Sequence, residues 1–130
     1  MDSELILGID PGTAVTGYGI VVKTEGSAIS LLECGVVRTS SGEPLALRIK
    51  EIFTEISKII DHFTPNVMVV EDIFQGKNVK SALTLGHTRG ALILAASLKD
   101  IPIVEYTPRE IKKAVVGNGN ATKDQVSFMV

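Results

Sequence analysis

Cysteine is nearly missing from this 130-residue chain, in which Cys34 stands alone. A single thiol forms no internal disulfide. This excludes a disulfide-stapled secreted scaffold and fits a reducing cytosol, with Cys34 read as a small core residue of a strand. No apolar run approaches the roughly 20 residues that a membrane span needs. The opening Met1-Asp2-Ser3-Glu4 is acidic and leads directly into a strand, so no secretory leader is expected. Internal repeats and low-complexity segments are lacking too. A formal net charge of −2 gives no overall basic field for nucleic acid. What remains is 45% hydrophobic and 22% charged residues, a globular balance. The length suits one domain with a real core.

The small net charge conceals a polarity. Residues 1–72 carry 5 Lys/Arg against 11 Asp/Glu, a net −6, whereas residues 73–123 carry 8 against 3, a net +5. Solvated helix faces can scatter charge in this way. A basic half beside an acidic edge can equally guide an anionic polymer past a metal-loaded site.

Two stretches organise the chain. Leu5-Ile6-Leu7-Gly8-Ile9 runs into Asp10 and then breaks at Pro11-Gly12, the pattern of a buried central strand ending in a turn. Asn66-Val67-Met68-Val69-Val70 likewise runs into Glu71-Asp72. Asp10 alone can be a turn cap. Two such strands set side by side in an α/β sheet share a carboxyl edge, where sites of this architecture gather. Carboxylates brought together there repel unless a proton or a hard cation such as Mg²⁺ lies between them. Side chains alternate along a strand, so only one of Glu71 and Asp72 can join Asp10, and Glu71 is the choice.

Between these strands, Thr16–Lys23 and Ile29–Thr39 complete a three-strand meander with a turn at Glu25-Gly26-Ser27. Pro44 suits a first helical position, and apolar residues at 45, 49, 52, 53, 56, 59, 60 and 63 predict an amphipathic helix stopped by Thr64-Pro65. His62 falls in its last turn, where a dipole contact is the ordinary role. A second helix is expected from about 79 to 98. Its Ala82, Gly86 and Gly90 form a smooth stripe suited either to packing on the domain's own sheet or to a helix-to-helix dimer seam. Ile101–Tyr106 reads as a strand, and Pro108–Val116 as a short helix with Arg109, Lys112 and Lys113. The Gly117–Ala121 loop lacks the spacing of a nucleotide-phosphate motif. Thr122-Lys123-Asp124-Gln125 opens a last helix as a capping box, and that helix is barely two turns long at Val130.

Several motifs resemble the RuvC-type Holliday junction resolvases. They are Leu7-Gly8-Ile9-Asp10-Pro11-Gly12-Thr13 with Thr16-Gly17-Tyr18-Gly19, Val70-Glu71-Asp72-Ile73-Phe74, Lys77-Asn78 with Ser81-Ala82-Leu83, Leu85-Gly86 with Arg89-Gly90, and Val115-Val116-Gly117 through Lys123 with Gln125-Val126. The resemblance covers essentially the whole chain. It implies a ribonuclease H-like α/β fold with a mixed five-stranded sheet flanked by helices. It further implies a cytoplasmic, homodimeric, Mg²⁺-dependent endonuclease, with Mn²⁺ a substitute, that nicks opposed strands of a four-way DNA junction beside a branch-migration helicase complex. Asp10 and Glu71 would be catalytic metal ligands, and Lys112 a catalytic and DNA-binding basic residue serving the scissile phosphate. Phe74 would reach a base near the cut. Lys77, Asn78, Arg89 and Lys123 would join Lys112 on DNA.

One departure stands out. The family's site includes two further acids on a carboxy-terminal helix, and no residue after Gln125 is acidic. Residues 1–130 are therefore expected to form a single nuclease domain without that helix, with doubtful cutting activity. A junction-binding dimer that does not cut is the alternative. The actin and sugar-kinase superfamily shares an Asp-Xaa-Gly loop on a related fold, but needs two domains and an adenosine site.

Overall fold

The computed structural model describes residues 3–24, 26, 28–71 and 78–106. Alternating apolar residues separated by short turns pair first with their neighbours in sequence. β1 (Glu4–Asp10), β2 (Val15–Lys23) and β3 (Ile29–Arg38) form the expected antiparallel meander. The turn after β1 depends on glycine, because a Cβ at Gly12 would lie 2.2 Å from the Val15 carbonyl oxygen. At the second turn Gly26 takes φ +92, a left-handed conformation that favours glycine. A register shift at Ile20/Val21 adds one residue to β3.

Pro44 caps rather than begins the first helix. Its extended backbone (φ −57, ψ 145) precedes α1 (Leu45–Phe63), and its carbonyl accepts from the Leu47 and Arg48 amides. The predicted stripe turns Ile52, Ile56 and Ile60 fully inward. Thr64 closes α1 in the left-handed region (φ 47), donating its amide to the Ile60 carbonyl at 2.8 Å. His62 does lie in the last turn, edge-on to the Phe63 ring at 4.6 Å.

β4 (Val67–Glu71) then pairs parallel to β1, and α2 (Val79–Ser97) leads to β5 (Ile103–Tyr106), parallel to β4. The sheet order is β3-β2-β1-β4-β5. Both described helices pack on one face, where Leu7, Ile9, Ile20, Met68 and Val70 meet Ile52, Ile56, Ile60, Leu92, Ala95 and Ala96. Cys34 differs from its predicted role: it is exposed, because β3 is an edge strand and only Val37 of that strand is buried. No helix among the described residues is long and apolar enough to cross a membrane. The expected 108–116 and 122–130 helices lie outside the described residues.

Candidate active site

Strand register decides which acids meet. Ile9 pairs with Val70 across the parallel β1–β4 ladder, so Asp10 and Glu71 follow as neighbours at the carboxyl ends. Ile9 and Val70 point into the helix-covered core, and alternation turns Asp10 and Glu71 to the opposite face. Across β2, Asp10 faces Gly17, and Gly8 faces Gly19. These glycines leave the face beside Asp10 without side chains. Asp72 lies outside the described residues.

The two carboxyl groups are hydrogen-bonded to each other. Glu71 is only 4% exposed, whereas Asp10 is open to solvent. Burial, then the Asp10 charge, then their hydrogen bond push the Glu71 carboxyl up to about 7. Burial raises Asp10 as well, opposed by the hydrogen bond from Glu71. Glu71 is thus the member that carries the shared proton, and Asp10 the one that stays ionised. A divalent cation does the same task as that proton, and two oxygen ligands at one sheet edge are the donor chemistry a hard cation takes. Among the described residues no cluster of three or more His, Cys, Asp or Glu supplies a fuller cage.

This pairing has a sign in stability. The folded-state value of Glu71, about 7, exceeds its ordinary 4.5, so the folded chain holds a proton that the unfolded chain has released. The contribution is fully present at low pH and is lost as pH rises through the folded value. We expect the melting temperature of the metal-free chain to fall between about pH 5 and 8, and Glu71→Gln to flatten that fall. Identical pH slopes for the two chains would show that the carboxyls share no proton.

The turn behind Asp10 is held from three sides. The Thr13 hydroxyl lies 2.9 Å from that of Thr88 on α2, and the Thr13 carbonyl accepts from the Thr39 hydroxyl at 2.6 Å. Arg48 Nε of α1 donates to the same Thr39 hydroxyl at 3.0 Å. Within the turn, the buried Thr16 hydroxyl donates to the Gly12 carbonyl at 2.6 Å. None of these partners was readable from spacing. Tyr106 was also missed: it is in register with Glu71 and so stands beside it on the carboxylate face. The one available signal was a strand ending in a polar aromatic.

Two residues expected on DNA have partners inside the fold. Asn78 caps α2, its Oδ1 accepting from the Lys80 and Ser81 amides at 2.8 and 3.3 Å. Arg89, with its side chain 19% exposed, forms an ion pair with Glu105 of β5. Phe74, Lys77, Lys112 and Lys123 lie outside the described residues. A cavity of about 280 Å³, lined by Tyr18, Glu33, Val37, Glu55 and Phe63 among others, sits between α1 and the β2–β3 ribbon; neither Asp10 nor Glu71 lines it.

Paired carboxylates at the carboxyl edge of a mixed sheet in this strand order define a ribonuclease H-like metal-dependent nuclease. The family model for crossover junction endodeoxyribonuclease RuvC matches residues 6–130, and the chain belongs to that family. It is 48% identical over 126 residues to the crossover junction endodeoxyribonuclease RuvC of Pelotomaculum thermopropionicum, covering 97% of this chain and 76% of the relative. The Chlamydia abortus relative of the same name is 47% identical over the same shares. Among solved structures, Thermus thermophilus RuvC in complex with Holliday junction substrate superposes with a TM-score of 0.84 at 32% identity, over 98% of this chain and 77% of that one. The yeast mitochondrial Holliday junction resolvase Ydc2 shares the fold, with a TM-score of 0.67 at 15% identity.

Proposed function

We propose that this chain cuts four-way DNA junctions in recombination and repair as one subunit of a symmetric dimer, with Asp10 and Glu71 holding Mg²⁺ and Mn²⁺ able to replace it. The observation that carries the reading is the hydrogen-bonded carboxylate pair at the sheet edge of a chain in this family. When bound, the metal polarises the scissile phosphate and lowers the pKa of water. Asp10 supplies the permanent charge. Glu71, released from its proton, supplies the second oxygen ligand. Lys112 and Lys123 balance charge at the phosphate and along the backbone, Lys77 adds to that field, and Phe74 stacks on an unpaired base, an interaction worth about 1–3 kcal/mol. Asn78 and Arg89 serve indirectly, through the helix cap and the Glu105 pair.

The dimer reading rests on α2. A Cβ at Gly86 or Gly90 would meet, among the described residues, no atom within 4 Å beyond its own helix, so packing of α2 on the described sheet does not require either glycine. Val79 (78% exposed), Leu83 (61%) and Leu94 (49%) lie on the same side of the helix, continuing the stripe in both directions. A second copy of that stripe is the fitting cover. The family further implies a branch-migration helicase complex as partner, with the cytoplasm as the setting.

The deciding experiment compares Mg²⁺-dependent nicking of a four-way junction and of linear duplex with gel-shift binding of the same DNAs. Nicking confined to the junction supports the reading. Binding without nicking, while an extended chain with a further helix cuts, favours a junction-binding dimer whose metal site is incomplete. Lys123→Glu is expected to weaken binding at every sequence and to lower the salt slope by about one, whereas Phe74→Ala leaves the slope near wild type. Equal slopes for wild type and Lys123→Glu would remove Lys123 from the DNA backbone.

A further inference from the structure

The helix that carries the open glycine stripe also reaches the turn that follows Asp10. Thr88 lies on α2 midway between Gly86 and Gly90, about half a turn away from both, which puts it on the opposite side of the helix. It is fully buried. Its hydroxyl lies 3.3 Å from the Thr84 carbonyl one turn earlier and 2.9 Å from the Thr13 hydroxyl. A hydroxyl has one proton to give. If Thr88 gives its proton to the Thr84 carbonyl, Thr13 donates to Thr88, and the chain of bonds runs from the Asp10 turn into the backbone of α2. The next residue, Arg89, reaches the other way, to Glu105 of β5. Successive residues of one helix thus hold the turn after β1 and the strand β5, which lie on either side of β4, the strand bearing Glu71.

We infer that Thr88 is a positioning residue for the metal site, fixing Asp10 against Glu71 through the Thr13 hydroxyl and so tying the carboxylate spacing to the placement of α2. This rests on the reading of Asp10 and Glu71 as metal ligands. The bond does not touch the reacting atoms. It acts on the turn that starts at Asp10, three residues before Thr13. That turn has little freedom of its own, since the Thr13 carbonyl is already held by Thr39 and no side chain fits at Gly12.

The test uses Mn²⁺ alone as probe, with free ion measured by electron paramagnetic resonance at a temperature well below melting, without DNA. Thr88→Val keeps the side-chain shape and removes the hydroxyl. It is expected to weaken Mn²⁺ binding about tenfold, the usual size of an outer hydrogen bond's effect on a metal site. Thr13→Val and the double variant should show the same loss and no more, because one bond is being removed in all three. Thr88→Ser, which keeps the hydroxyl, should bind Mn²⁺ as the unmodified chain does. A purely structural role would lower the melting temperature of Thr88→Val and leave its Mn²⁺ affinity unchanged, which overturns the inference. Glu71→Gln is the control. Loss of Mn²⁺ binding there beside unchanged binding in Thr88→Val rejects the positioning role alone. Unchanged binding in both rejects the metal reading beneath it.

Discussion

Glu71→Gln is expected to reduce Mg²⁺-dependent nicking of four-way junctions by about a thousandfold while leaving junction binding at least as tight. That factor corresponds to roughly 4 kcal/mol of transition-state stabilisation, the scale on which metal ions act at phosphoryl oxygens. Glutamine fills nearly the same volume, which matters at a position only 4% exposed. It also removes the group that burial and the Asp10 charge already strain toward protonation. The fold should therefore survive, and the metal-free variant should lose the alkaline weakening of the unmodified chain. Binding is expected to be spared because, on the proposed reading, DNA is attracted by the basic residues after position 72, and one negative charge fewer at the edge helps phosphates approach. Quantified nicking with a parallel gel shift reads both effects. Cutting within tenfold of the unmodified chain would take Glu71 out of the site.

Gly86→Leu is expected to convert dimers to monomers and to abolish paired nicking without harming the subunit. The two effects separate because, among the described residues, the space beside the Gly86 Cβ position is open within 4 Å. Leucine is also the better helix former, by up to about 1 kcal/mol at an exposed interior position, so the melting temperature of the subunit should hold or rise. In a dimer the same side chain would occupy the volume that a facing helix needs for close approach. Sedimentation velocity across the micromolar range gives the readout. An unmodified chain that sediments as a monomer at high micromolar concentration would end the dimer reading, and the exposed Val79 and Leu83 would then need another cover.

The parts of this molecule that were legible in its sequence share one property: they depend on residues near one another in the chain. The apolar run ending at Asp10 and the run ending at Glu71 announced buried strands and an acidic edge, and strand alternation set Asp10 and Glu71 on one face. The stripe of α1 likewise contained Ile52, Ile56 and Ile60, the residues the helix buries. Side-chain partners across elements were not legible. Nothing in the spacing of Arg89 says that α2 crosses near β5, so its ion pair with Glu105 could not be foreseen. The same holds for Thr13 and Thr88, which look like ordinary small polar residues until α2 brings them within 2.9 Å. Cys34 misled in the opposite sense, because a strand pattern does not disclose that the strand will lie at an edge.

The mixed character of the sheet bears on the order in which the molecule assembles. β1, β2 and β3 are joined by short turns and close as hairpins, whereas β1 meets β4 only after the intervening ribbon and the whole of α1 have been looped out. Closing such a loop costs chain entropy that is recovered only when the parallel ladder and the α1–α2 core form together. Asp10 and Glu71 become neighbours at that step and not before. A cation that requires both carboxylates therefore binds a chain whose long-range β1–β4 closure is complete, and its binding free energy stabilises the non-local half of the sheet more than the hairpins. Metal-dependent protection from hydrogen exchange should accordingly be concentrated in β1 and β4.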